Sequence, residues 1–286
     1  MKKFIKIFLW TVLTFVVLLF AAGSLLVYKI KNGFPVSYET QAPTINFPAG
    51  QTSVLLFSKS TGYRHATSID AGKRVFDSLA KKNNWFVYST EEGGVFNKEQ
   101  LAKFNVVVFN NSTGRVLNDE QEQALEHYVE QGGRLIGIHG AGDDSHHWDW
   151  YEHNLLGSKF SHHPIAAHLQ KTAVVLNEVP DSAISSGLAK TWESTDEWYV
   201  FFENPRAKGF HVLFNIDGSA INPSGNIFFV KDKNFGMGKD HPVAWYKNIG
   251  KGSTFYTSMG HDETIWGHEP FNKMIENAVN WKLALP

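Results

Sequence analysis

The alternation of apolar and polar positions divides the chain into three parts. From Ile7 to Tyr28, 22 residues pass without a charge. A helix of that length crosses the hydrocarbon core of a bilayer, about 30 Å thick. Residues 32–51, rich in Pro, Thr and Asn and without helical period, read as a linker. From residue 53 onward short β-rich runs alternate with helical stripes. The runs at 53–58 (SVLLFS), 85–90 (WFVYST), 106–112 (VVVFNNS) and 134–140 (RLIGIHG) read as strands. Between them, residues 69–83 carry Ile69, Val75, Phe76 and Leu79 on one helical stripe, residues 98–104 make a short helix, and residues 118–133 make a longer one. Asn118 is placed to cap that longer helix at its start and a Gly pair ends it. Thr67 or Ser68 is placed to cap the helix at 69–83.

Continuous β-branched runs separated by helices predict a parallel sheet covered on both faces, joined by right-handed crossovers. The second half is less regular. Residues 168–179 and 211–216 look like strands, 242–261 like a hairpin with a Gly-containing turn, and 270–285 like an amphipathic closing helix. No internal repeat is visible. The division expected is a membrane segment over 1–31, a linker over 32–51 and one α/β domain over 52–286.

Composition and charge narrow the function classes. Hydrophobic residues make up 43% and charged residues 19%, as in globular domains. Residues 1–31 hold five lysines and no acid, so the remainder carries 22 basic against 28 acidic residues, a net of -6. That balance excludes a basic nucleic-acid footprint. Lys2, Lys3 and Lys6 with the α-amine outweigh Lys29 and Lys31, so the N-terminus is expected inside and the domain in the periplasm or outside the cell. The expectation is a single anchor in the inner membrane, with residues 7–28 in the lipid. The alternative is a signal peptide cleaved near FAAGS, which secretes the domain. The chain has no cysteine, which excludes disulfides, a thiol nucleophile and thiolate metal sites.

The candidate chemistry lies where strands end, the usual place for a site in an α/β sheet. The loop 59–68 (KSTGYRHATS) offers Arg64 and His65 after the first strand. The loop 110–114 (NNSTG) offers Asn110, Asn111 and Thr113, which suit hydroxyl recognition and are also ordinary turn formers. The stretch 137–151 (GIHGAGDDSHHWDWY) places His139 directly after a buried strand, then Asp143, Asp144, His146, His147, Trp148 and Trp150. His139 there can act as a general base or a metal ligand. The stretch 159–168 (KFSHHPIAAH) brings His162, His163 and His168, with no pair at i, i+4 spacing. Adjacent Asp196 and Glu197 precede an aromatic run, and neighbours in a strand point to opposite faces. His261 follows another probable strand end, with Trp266 beyond it.

In order, TGYRHATSIDAG, the long block from VVVFNNSTG to SHHP, TDEWYVF, HPVAWYKNIGKGSTFYTSMGH and the Trp of the last helix resemble the ThuA-like (trehalose utilisation) family. The resemblance runs from about Ser53 to Trp281. It implies a class I glutamine amidotransferase-like fold, a flavodoxin-like three-layer sandwich with a central, mainly parallel sheet. Amidotransferases of this fold carry a cysteine at a sharp turn after a central strand, where this chain reads GIHGAG, so thiol acyl transfer is ruled out. The resemblance further implies an enzyme of disaccharide or keto-glycoside processing, a hydrolase, lyase or isomerase. The positions that match its recurring polar sites are Arg64, His65, His139, Asp143, His163, Asp196, Glu197 and His261, with Asp144 competing for the place of Asp143.

The expected roles follow. His139, Asp143 and one of Asp196 or Glu197 perform proton transfer. Arg64, His65, Asn110, Asn111, Thr113, Trp148, Trp150 and Trp266 bind the carbohydrate. His163 and His261 orient the substrate or bind a divalent metal such as Zn²⁺. An exported sugar dehydrogenase is an expected partner. The alternative to an enzyme is a non-catalytic carbohydrate-binding or sensory domain at the membrane.

Overall fold

The computed structural model describes residues 2–34, 37–177 and 183–281. Helix α1 (Lys2–Asn32) contains the apolar run, and no part of that run is buried against the domain. The domain is built on a nine-stranded mixed sheet. Strands β1 (Thr52–Phe57), β2 (Trp85–Thr90), β3 (Val106–Asn110) and β4 (Arg134–Ile138) come from the regular first half. They alternate with helices α2 (Ala66–Asn83), α3 (Lys98–Leu101) and α4 (Asp119–Glu130). Strands β6 (Gln170–Leu176), β7 (Thr191–Asp196), β9 (His211–Ile216), β10 (His241–Ile249) and β11 (Gly252–Thr257) complete the sheet in the order β2-β1-β3-β4-β11-β10-β9-β6-β7. Pairing is parallel from β2 to β11 and antiparallel from there on. Two short strands, β5 (Phe160–His162) and β8 (Val200–Phe201), pair beside it.

Strand periodicity explains the three layers. In β1, Val54 and Leu56 face a core shared with Phe76 and Leu79 of α2, while Leu55 and Phe57 face a core shared with Leu101 and Leu125. Helix α6 (Glu269–Asn280) adds Phe271, Met274 and Ile275 to the α2 side. The short turn α5 (Asp149–Tyr151) adds Tyr151 to the other side. Strands β1, β3 and β4 are buried on both faces, so they read as unbroken apolar runs rather than as alternation. Asn118 caps α4 with a reciprocal bond from Gln121.

Three expectations are corrected. Helix α2 starts at Ala66 with His65 at its N-cap and no side-chain cap, because Ser68 is taken by other partners. Helix α3 ends at Leu101, shorter than expected. The linker does not stand free of the domain. Glu39 pairs with Lys59 at 2.5 Å and accepts the Gly93 N–H at 3.0 Å, and Phe47 packs edge-on against Phe86 and Phe104. The expected ends of the strand at 168–179 and of the last helix fall partly outside the described residues.

Candidate functional site

The carboxyl ends of β1, β3, β4 and β11 open on one edge, and the turn after β4 is the sharpest of them. His139 takes φ 45°, a left-handed conformation that side chains beyond Cβ disfavour. Two tyrosines hold the strained turn. The Tyr256 hydroxyl donates to the His139 carbonyl at 2.9 Å, and the Tyr151 hydroxyl donates to the Ala141 carbonyl at 2.8 Å. Gly142 is required here, since a Cβ would overlap the Tyr256 ring. The His139 ring is fully buried, with Tyr199 packed 4.3 Å away. Its Nδ1 lies 2.7 Å from the Ser258 carbonyl. A carbonyl only accepts, so Nδ1 carries a proton.

Nε2 points into a cluster. His139 Nε2 lies 3.1 Å from His261 Nδ1 and 3.5 Å from Glu197 Oε2. His261 Nδ1 lies 3.1 Å from the same carboxylate oxygen. His65 stands edge-on to both rings, with centroids at 4.8 and 5.1 Å. Its buried Nδ1 has no hydrogen-bond partner. One ligand atom each from His65, His139, Glu197 and His261 lies within 4.8 Å of the others. His163 binds the second oxygen of Glu197 at 2.9 Å. Gly140 leaves room for this approach: a Cβ there would lie 2.9 Å from His65 Nδ1.

The electrostatics follow from the enclosure. Burial alone would raise the Glu197 carboxyl, but bonds to His139, His163 and His261 overcome it and hold Glu197 well below the usual carboxylate range. Burial pulls His163 and His261 down, yet the bond and charge of Glu197 raise both. Burial and the neighbouring His139 and His261 push His65 well below its ordinary value, so it stays neutral. A buried carboxylate ringed by imidazole nitrogens is a set of groups that suits a divalent ion such as Zn²⁺ once the ring nitrogens facing it give up their protons.

The remaining candidates separate into supports and bystanders. Asp196 ends β7 but turns away from the cluster. Its carboxylate accepts the N–H groups of Glu197, Gly260 and His261 at 2.8, 2.7 and 3.1 Å. It positions two cluster residues, Glu197 and His261, through their N–H groups. Asn111, at φ 57°, accepts the Gly140 N–H at 3.1 Å and donates to Ser68 Oγ and the Gly260 carbonyl. Asn110 reaches back to Ser58 and the Ile69 carbonyl, and Thr113 donates to the Tyr63 carbonyl. All three are fully buried ties between loops. Asp143, bonded to Ser145, is pushed up to about 7 by burial despite that bond. Asp144 pairs with Lys159 instead.

Arg64 forks onto Glu91 at 2.8 and 2.9 Å, away from the cluster. Trp148 stacks between Trp150 and Tyr151 and donates to Glu126. Trp266 is core, its indole N–H on Ser68. None of the three tryptophans lies in the cluster. Ser68, Tyr199, Tyr256 and Ser258 support the site, and nothing in the spacing of the chain marks Ser68, Tyr256 or Ser258 for that task.

Comparison with known proteins agrees with this architecture. The family model described as ThuA, trehalose utilisation, matches residues 53–282. A ThuA-like protein from Bacteroides uniformis superposes with a TM-score of 0.66 at 21% identity, covering 86% of this chain and 94% of its own. A ThuA-like protein from Parabacteroides merdae gives 0.62 at 14% identity, covering 82% and 92%. A cytoplasmic protein from Salmonella typhimurium gives 0.54 at 12% identity, covering 80% and 98%. At these identities the likeness shows the fold alone. No curated protein matches the chain. With the family model spanning nearly the whole domain, the chain belongs to the ThuA, trehalose utilisation, family.

Proposed function

We propose that this chain is an exported, membrane-anchored enzyme that processes a disaccharide or keto-glycoside at a divalent metal centre held by His65, His139, Glu197 and His261. The convergence of one ligand atom each from His65, His139, Glu197 and His261 within 4.8 Å of one another carries this reading. The family description, trehalose utilisation, supports a carbohydrate substrate. Helix α1 supports the membrane location.

A bound divalent ion would polarise a carbonyl or hydroxyl oxygen of the sugar. The chain's own groups supply the rest. His139 and Glu197 serve as ligands, which leaves proton transfer to His163 and Asp143. His163 Nδ1 faces only acceptors, Glu197 Oε1 and the Pro164 carbonyl, so it carries a proton. Asp143, with its value near 7, can take or give a proton at neutral pH.

Metal analysis of the purified full chain tests the centre, with turnover of 3-keto and ordinary disaccharides measured before and after chelation. One ion per chain is expected, lost in His65→Ala and His261→Ala along with activity, while the far-UV spectrum stays native. A chain that turns over substrate at full rate without metal refutes the centre. Disaccharide binding with no product under any condition supports a binding module instead.

A further inference from the structure

Outside α1, one segment exposes apolar side chains to an unusual degree. Residues 227–230, Ile-Phe-Phe-Val, form a tight turn closed at both ends by backbone bonds between Ile227 and Val230, at 3.0 and 2.8 Å. Phe228 and Phe229 occupy its two corners, 89% and 101% exposed. Turn corners favour Gly, Asn or Pro, so two phenylalanines there answer to something other than the turn. The turn is held rather than loose. Gly225 donates to the Lys233 carbonyl at 2.8 Å, and Lys233 N–H donates to Asn226 Oδ1 at 3.0 Å.

Its base stands on the rim of the site. Ile165 N–H donates to the Ser224 carbonyl at 3.1 Å, next to the His163 that binds Glu197. A Cβ on Gly225 would lie 2.6 Å from the His162 ring. The end of α1 reaches the same rim. A Cβ on Gly33 would lie 2.6 Å from Thr61 Oγ1, in the loop that leads to His65. Lysines accompany both features: Lys29 and Lys31 close α1, and Lys231 and Lys233 follow the turn.

We infer that the Ile227–Val230 turn is a second membrane contact, which sets Phe228 and Phe229 into the interface of the bilayer that α1 crosses and turns the histidine–glutamate rim toward the lipid. The inference rests on α1 being a retained anchor. Aromatic rings beside lysines suit the boundary between acyl chains and anionic headgroups. Two rings on a narrow turn are a small knob, far below the roughly 800 Å² per partner of a stable protein interface. They need only a few ångströms of lipid to be covered.

The absence of cysteine gives a clean test. Full-length chains carrying Phe229→Cys, Phe228→Cys or Lys81→Cys are labelled with nitrobenzoxadiazole and reconstituted into vesicles of phosphatidylethanolamine and phosphatidylglycerol. Lys81 lies in the last turn of α2, at the opposite edge of the sheet. Labels at 228 and 229 should shift to the blue and be quenched severalfold more by nitroxide-bearing lipid than the label at 81. Emission and quenching equal to position 81 overturn the contact. A blue shift without lipid quenching means protein covers the turn, and overturns it too. Retention after carbonate washing reports α1 separately: a chain washed off the vesicles sinks the anchor and the membrane contact built on it, and leaves the metal centre standing.

Discussion

His139 combines backbone strain with a place in the proposed metal centre. A residue other than Gly in the left-handed region costs about 1–2 kcal/mol, and this one is held there by Tyr256 and the Ser258 carbonyl. Replacement separates the two effects. His139→Gly relaxes the backbone and His139→Ala does not, while both remove the ring. His139→Gly is therefore expected to be more stable than His139→Ala by about 1 kcal/mol in urea titrations, with metal lost from both. Equal stabilities would show that the turn stores no strain. His241 offers a pH-linked counterpart away from the cluster. Burial lowers it to about 4, against the bond it donates to the Tyr199 carbonyl at 2.9 Å. Its folded value lies below its unfolded one, so its contribution is complete above pH ~6.5 and is lost as pH falls toward ~4. Over that window the loss is on the order of 3 kcal/mol. His241→Gln keeps a donor for Tyr199 but does not titrate, so its unfolding midpoint should vary less between pH 7 and 4 than that of wild type.

At the scale of elements, the first half was legible because β1, β3 and β4 are buried on both faces and α2 and α4 each show one apolar stripe. Asn118 even declares the start of α4. The second half was not. Beyond β11 the sheet turns antiparallel, β7 alternates buried and exposed positions, and β8 is two residues long. Such short or half-solvated pieces carry little periodic signal. The site was legible as a set of residue types and not as a geometry. His65, His139, Glu197 and His261 come from four connections far apart in sequence, so no spacing announces them. The polar run at Asn110–Thr113 reads equally well as recognition or as turn, and its side chains are spent on neighbouring loops. Asn111 is the tie with the widest reach, joining the ends of β3, β4 and β11 to the first turn of α2. Asn111→Gly keeps the positive φ and loses the bonds. Asn111→Ala loses both, and is expected to fall about 1 kcal/mol below the glycine variant. Both should bind metal about 10–100-fold more weakly than wild type. Chemical denaturation with metal titration decides it, and a wild-type metal affinity in either variant would detach the clasp from the cluster.

For the whole molecule, the linker decides how the domain relates to α1. Residues 37–51 lack regular structure yet lie along the domain, with Phe47 half-buried between Phe86 and Phe104 and Glu39 tied to Lys59, Gly93 and Gln121. Gly94 shows how close this packing is, since a Cβ there would collide with the Gln41 carbonyl. The apolar pattern missed this contact because residues 43–47 bury only alternate side chains in an extended chain, a pattern shared with free linkers. A chain begun at residue 37 should therefore keep the stability of the full domain, and one begun at residue 52 should not. Losing one half-buried phenylalanine and a partly buried carboxylate with its donors removes on the order of 3 kcal/mol. For a domain of this size that lowers Tm by roughly 6–12 °C. Phe47→Ala in the longer chain should recover about half of that drop, since it removes the ring and leaves Glu39 in place. If the two truncated chains melt together, the linker only rests on the surface of the domain.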